Sequence, residues 1–394
     1  MVRGFKYRCY PTAKQQIALA KTFGCCRYVY NWALNLRKEA WFKEKKRIGY
    51  VETAKELTRM RHDADTIWLG ESGITPEQQS LRHLQDAFDR FWRKTARYPK
   101  FKARHRGNES ASFVGSAVRW NPKTRVLGLE KLGDIRVRWD SRKFQGKPTT
   151  VVISKNAADH YFVSFTVDEP LPKQSKPKNK VVGIDLGLTS FATLSTGQKF
   201  QAPKPLKAKQ AQLKRAQRKF SRRQKASHNR EKARIKVARI HEHIGNIRKD
   251  FTHKLSTKLI RENQTICLED LNVRGMVRNH KLAKSISDVS WSEFVRQLQY
   301  KADWYGRTVV QIDRFYPSTK RCHDCGYTLP HLELSDRKWT CPQCGVHHDR
   351  DINAAKNILA AGLAATVCGD GVRSPKHKPK KPTSKIPLSV KQKS

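Results

Sequence analysis

Residues 3–10, Arg-Gly-Phe-Lys-Tyr-Arg-Cys-Tyr, alternate basic side chains with aromatic or apolar ones. That is the period of a strand with one covered face. Pro11-Thr12 then opens a helix, because Thr12 and Gln15 are spaced as a capping box. Ile17, Ala20, Phe23, Val29, Trp32, Ala33 and Leu36 recur at helical spacing beyond it and predict a core stripe. A second helix is predicted to start at Thr75, with Pro76 at its first position and Gln78 at its third. Leu81, Leu84, Phe88 and Phe91 continue it on one face. Residues 12–102 therefore read as a helical lobe that ends in the basic loop 98–107. From about 111 to 169 the period shortens to β-like runs at 112–114, 126–129, 135–139, 150–153 and 161–167. Turn residues separate them at intervals that suit a small barrel. The 3–10 strand can close that barrel, so residues 1–11 and 103–170 form one domain with the helical lobe inserted in it.

Residues 171–180, Leu-Pro-Lys-Gln-Ser-Lys-Pro-Lys-Asn-Lys, are a linker. Past it the texture is α/β. Val181-Val-Gly-Ile-Asp185 is an apolar strand carrying one acid, followed by a glycine turn and a second strand. Gln264-Thr-Ile-Cys-Leu-Glu269 is another strand ending in an acid, and 308–312 is a third β run. Between them, residues 204–249 hold 17 Lys/Arg against two acids, Glu231 and Glu242. Val237, Ile240, Ile244, Ile247, Phe251, Leu255 and Leu259 keep one helical stripe through this part of the chain. With so few acids, i,i+4 pairing cannot neutralise the run, which favours phosphate contact over a solvated face. Arg215, Arg218 and Arg222 are the candidate contacts. The segment 371–394 holds eight Lys/Arg, four Pro and no acid, and is expected to be disordered.

Charge sharpens this picture. The 394 residues include 81 Lys+Arg and 34 Asp+Glu, a formal net charge of +47. A surplus of that size repels itself unless a polyanion neutralises it, which points to nucleic acid and an extensive phosphate surface. No apolar run approaches the roughly 20 residues of a membrane span, and the first residues lack an apolar signal segment. The nine cysteines suit reduced thiols in a cytoplasmic setting.

Four of those cysteines, Cys322, Cys325, Cys341 and Cys344, are spaced C-x2-C-x15-C-x2-C. Each knuckle turns two sulfurs toward one point, so the set suits a structural Zn²⁺, in a ribbon over 322–344. Gly326 and Gly345 follow the knuckles, where a turn needs positive φ. His323, His347 and His348 flank the ribbon and are expected at the surface. A helix is predicted to begin near Asp349-Arg-Asp351. Asp185, Glu269 and Asp351, at two strand ends and a helix start, could share two Mg²⁺ ions and so cut a phosphodiester. Asp349 competes with Asp351 for the third place, but its position before the helix suits an N-cap. The chain has no phosphate-cradling glycine loop of the P-loop type, so no NTP hydrolysis is expected.

The motifs around these residues carry a family likeness. Val-Gly-Ile-Asp185-Leu-Gly-Leu, Leu-Glu269-Asp-Leu-Asn, the four-cysteine ribbon and Asp-Arg-Asp351-Ile-Asn-Ala-Ala-Lys-Asn resemble those of the TnpB proteins encoded by insertion sequences. So do Gly24-Cys-Cys-Arg-Tyr-Val-Tyr-Asn31, Pro99-Lys-Phe-Lys and Asp313-Arg-Phe-Tyr-Pro-Ser-Thr-Lys320. The resemblance implies a RuvC-like (RNase H-like) nuclease domain over 181–321 and 345–370, split by the ribbon. Ahead of it would stand a wedge-type β-barrel carrying a helical recognition lobe. It further implies an RNA-guided, Mg²⁺-dependent DNA endonuclease related to type V CRISPR effectors. Its partners would be a guide RNA from the transposon end and double-stranded DNA bearing a short adjacent motif. The catalytic set it carries over is Asp185, Glu269 and Asp351. A nuclease-inactive regulator on the same fold and a strand-joining transposase using the same acids are the alternatives.

Overall fold

The computed structural model describes residues 1–104, 109–140, 144, 146–172, 176–333 and 335–367. The 371–394 tail, the end of the 98–107 loop and the middle of the 171–180 linker lie outside the described residues. Two compact units result, residues 1–170 with 216–239, and residues 171–215 with 240 onward.

The first unit starts with β1 (Val2–Cys9), then runs through α1 (Ala13–Glu44), α2 (Tyr50–Met60) and α3 (Ile74–Trp92). It continues with β2 (Glu109–Val114), β3 (Val118–Asn121), β4 (Val126–Leu129), β5 (Gly133–Ile135), β6 (Val137–Arg138), β7 (Thr150–Lys155) and β8 (Tyr161–Asp168). One sheet has the order β2-β7-β8-β1-β6, and a second the order β3-β4-β5. Because β1 pairs antiparallel with β8, with Phe5 opposite Phe165, the three helices are spliced between the first strand and the rest of its sheet. Alternation does the rest: Phe5, Tyr7 and Cys9 face a core shared with Phe113, Val163 and Phe165.

Thr12 caps α1 as its spacing predicts, with Thr12 N–H and Gln15 N–H each bonded to the other's side chain. The stripe is corrected in part, since Phe23, Val29 and Ala33 are buried as predicted but Ala20 is exposed and Trp32 and Leu36 are only half-buried. Ile17 is 62% exposed, and Leu19, Cys26 and Leu34 join Phe23, Val29 and Ala33 on the buried face. The cause is that α1 serves two cores in succession. Leu19, Phe23 and Cys26 join the sheet core, whereas Val29, Ala33 and Leu34 join a helical core with Leu57, Leu81, Leu84 and Phe88. The start of α3 also moves. Gly73 is its N-cap, which puts Pro76 at the third position, not the first. Fully buried Glu77, held by Arg61 at 2.6 Å and Ser72 Oγ at 2.5 Å, anchors this early turn. Proline is tolerated there because the first-turn N–H groups have no intrahelical acceptor.

The second unit opens with β9 (Asn179–Asp185), β10 (Ala192–Leu194) and β11 (Lys199–Phe200). There follow α4 (Pro205–Ser221) and α5 (His228–Glu262), whose stretch 216–239 belongs to the first unit, then β12 (Asn263–Glu269), α6 (Val273–Met276), α7 (His280–Val289), α8 (Trp291–Tyr305) and β13 (Thr308–Ile312). The last elements among the described residues are β14 (Lys338–Thr340), β15 (His347–Asp349) and α9 (Arg350–Val367). The sheet order is β11-β10-β9-β12-β13, with β9, β12 and β13 parallel and the first two strands antiparallel. One face of β9 and β12, carrying Val182, Ile184, Ile266 and Leu268, packs on Leu255, Leu259, Phe294 and Leu298. The other face meets α9, where Cys267, Val310 and Ile312 pack on Ile358. Glycine makes that approach possible from both sides. A Cβ on Gly183 would lie 2.1 Å from the Ala355 carbonyl oxygen, and one on Gly362 would lie 2.4 Å from Cys267 Sγ. Among the described residues, no helix is long and apolar enough to cross a membrane.

Candidate nuclease centre and cysteine ribbon

The period of a strand puts Gly183 and Asp185 on one face of β9, and Cys267 and Glu269 on the same face of β12. Register brings them level, since Ile184 pairs with Leu268 in the parallel ladder. Both acids therefore stand at the C-terminal edge of the sheet, on the side that α9 covers. Asp351, in the first turn of α9, completes the group. Its charge and that of Glu269 both act on Asp185. Burial first, and then these two neighbouring carboxylates, push the Asp185 carboxyl up to about 7, against the opposing pull of Arg350. Burial likewise raises Glu269, while a hydrogen bond from Ser318 resists the shift. A buried Asp185 held against ionisation by two neighbouring acids is what a divalent cation relieves.

Asp349 is occupied elsewhere. Its Oδ1 accepts the N–H groups of Asp351 and Ile352, both at 3.1 Å, so it is the N-cap of α9. Lys199 also grips it at 2.7 Å. Burial alone would raise Asp349, but the Lys199 bond and the helix N–H groups outweigh it and hold the carboxyl below its usual range.

The sequence reading missed the supports of this site. Ser318 Oγ donates to Glu269 Oε1 at 2.5 Å, and Arg314 clasps the next residue, Asp270, at 2.6 Å. Asn357 of α9 donates to the Ser318 and Arg321 carbonyls, at 2.8 and 2.6 Å, and Asn353 also donates to Arg321. These bonds tie the 313–321 loop to both the sheet and the helix. Arg337 lies 4.0 Å from Asp351. The signal was present: Ser318 lies in the Asp313–Lys320 motif, and Asn353 and Asn357 lie one turn apart after Asp351.

The four cysteine sulfurs lie within 4.8 Å of one another, with Cys322–Cys344 at 3.7 Å and Cys325–Cys341 at 3.5 Å. Zn–S bonds of ~2.3 Å in a tetrahedron place sulfurs about 3.8 Å apart, so the group fits that ion. Gly326 (φ +81°) and Gly345 (φ +72°) follow the knuckles, and their N–H groups bond the Cys322 and Cys341 carbonyls. His348 corrects the expectation of a surface residue. It is 8% exposed, its Nε2 lies 3.1 Å from Cys322 Sγ, and its ring packs on Trp339. The reason is register, since His348 pairs with Trp339 across β14–β15 and so faces inward.

Arg215, Arg218 and Arg222 project from α4 and the residue after it into solvent, while Leu213 and Ala216 turn inward.

Comparison with known proteins matches three family models. Residues 162–280 match the IS605 OrfB family, described as "Probable transposase"; residues 291–358 match a Cas12f1-like TNB domain, and residues 1–46 a helix-turn-helix domain of the same OrfB proteins. A Streptomyces pristinaespiralis protein provisionally named RNA-guided DNA endonuclease is 46% identical, covering 98% of each chain. An Escherichia coli protein with the same provisional designation is 34% identical, again over 98% of each. Among solved structures, a Cas12f1–sgRNA–target DNA complex superposes with a TM-score of 0.57 at 12% identity, covering 91% of this chain and 98% of that one.

Proposed function

The chain belongs to the TnpB family, the OrfB proteins of IS605-type insertion sequences, and from that premise we infer that it is an RNA-guided DNA endonuclease. The convergence of Asp185, Glu269 and Asp351 at one sheet edge carries the reading. On it, residues 181–321 and 345–370 form a RuvC-like domain of the RNase H class, and the ribbon 322–344 holds Zn²⁺. Residues 1–11 and 103–170 act as the wedge-type barrel, 12–102 as the recognition lobe, and 171–180 as the linker. The guide is an RNA from the transposon end, and the target is duplex DNA beside a short adjacent motif, in the prokaryotic cytosol or nucleoid.

The three carboxylates would hold the Mg²⁺ ions, which supply a more acidic bound water and a counter-charge for the leaving oxygen. The rest falls to the chain. Ser318 fixes the rotamer of Glu269 through its 2.5 Å bond. Asp349 caps α9 and so sets where Asp351 projects. Burial and the two neighbouring carboxylates raise Asp185 to about 7, so part of it holds a proton at neutral pH that a bound cation would displace. Arg215, Arg218 and Arg222 offer exposed charge to phosphates.

Plasmid cleavage by protein that co-purifies with its RNA tests the reading. Asp185→Ala, Glu269→Ala and Asp351→Ala should each abolish cutting and leave RNA binding intact, whereas Asp349→Ala should keep substantial activity. Near-normal cutting by Asp185→Ala would overturn the assignment. Joined rather than cut products would favour the transposase.

A further inference from the structure

The first unit contains a cavity of about 390 Å³ that the nuclease reading does not use. Its wall holds six aromatic rings, Trp41, Phe42, Phe88, Phe91, Trp92 and Tyr98. Three bases, Arg37, Lys46 and Arg47, and Ile48 complete it, with no acid in the lining. Phe42 and Trp92 are 65% and 57% exposed, an unusual cost for large rings unless something covers them. Phe88 stacks on Trp92 with centroids 5.3 Å apart, so the rings form a standing platform.

Arg37 is the second observation. It is 5% exposed, its guanidinium carbon lies 5.4 Å from the Phe88 centroid, and Nη1 bonds Gln85 at 3.0 Å. Its Nε and Nη2, the parallel donors of the side-on fork, have no hydrogen-bond acceptor among the described residues. A buried fork left open is costly. Burial lowers the Arg37 guanidinium below its usual range, and the nearby charges of Glu52 and Asp89 offset part of that. The open fork calls for a pair of acceptors, and neutral ones suit it, since a phosphate would add a further negative charge beside those two carboxylates.

We propose that this pocket receives one unpaired guanine base of a single-stranded nucleic acid. The base would stack on the Phe88–Trp92 platform and offer O6 and N7 to the Arg37 fork. Adenine lacks the second acceptor, because its N6 is a donor. Lys46 and Arg47 on the wall suit the flanking phosphates. Since Nε and Nη2 are shut off from solvent, a rim ring outside the stacked pair must swing aside as the base enters, and Phe42, the most exposed ring of the wall, is the candidate.

The test is anisotropy binding of the full-length chain to short uridine-rich oligonucleotides with one central guanine. Salt is raised to suppress the general phosphate attraction, and no divalent cation is added, so the result does not depend on cleavage. Replacing that guanine by 7-deazaguanine, which removes N7, should weaken wild-type binding about tenfold. The replacement should have little effect on Arg37→Lys, which keeps the charge but lacks the fork. Trp92→Ala should cost about tenfold on the guanine oligonucleotide. RNA and DNA versions show which sugar the site accepts. Equal wild-type binding of guanine and 7-deazaguanine, a preference for cytosine, or Trp92→Ala binding like wild type would each overturn the proposal. Should Arg37→Lys fail to fold, the base-analogue series on wild type still decides. Separately, an acidic peptide displacing the oligonucleotide in a Trp92-dependent way would mark a protein groove and refute it.

Discussion

Replacing Asp185 by Asn probes the carboxylate cluster without touching its shape. The wild-type carboxyl is raised from 3.8 to about 7, so the native state holds its proton more tightly than the unfolded chain. The sign follows: native binds more protons, and stability must fall as pH rises between those two values. A shift of about three units corresponds to at most ~4 kcal/mol, fully felt above pH 7 and absent below pH 4. Relaxation and water entry will reduce it, so a gain of about 2 kcal/mol for Asp185→Asn at pH 8 is the working expectation. Urea melts of the second unit's signal, in buffers stripped of Mg²⁺ but without chelator so that the ribbon is spared, read this directly. The variant should gain on wild type steadily from pH 4 to pH 7 and then run parallel. Added Mg²⁺ should stabilise wild type and leave the variant little changed. If Asp185→Asn is instead the less stable protein at pH 8, the acid has a cationic partner and the repulsion argument is wrong.

Three further outcomes follow from other parts of the chain. Cys322→Ser with Cys325→Ser should purify without zinc and lose the ribbon's protease resistance, because binding a structural zinc contributes ~10–16 kcal/mol to folding such sites; stoichiometric zinc by elemental analysis would refute it. Gly183→Ala should cost about 3 kcal/mol or more, since the new methyl meets the Ala355 carbonyl at 2.1 Å and backbone cannot step aside cheaply; an unchanged urea midpoint would refute the close-approach account. Arg215→Gln, Arg218→Gln and Arg222→Gln together should lower the slope of log affinity against log salt for RNA by about two to three, at ~0.7–0.9 per lost phosphate contact; an unchanged slope would mean the α4 face is merely solvated.

The sequence by itself determined the features that rest on local spacing. The capping box at Thr12 and Gln15, the cysteine knuckles with their positive-φ glycines, and Asp349 as a cap all depend on residues within a few positions of each other. Short apolar runs also assigned Asp185 and Glu269 to strand ends, because a run that stops at one acid is visible without partners. What lies between elements was decided by tertiary structure. Spacing alone could not show that α1 turns one face to a sheet and the next to a helical core, and so exposes Ile17. The early start of α3 depends on a buried Glu77 finding Arg61 and Ser72. His348 turns inward because strand pairing sets it against Trp339, a fact of register rather than of composition. The supports contributed by Ser318, Asn353 and Asn357 exist only once a loop and a helix distant in sequence pack together, since a hydrogen bond has direction and reach that no periodicity encodes.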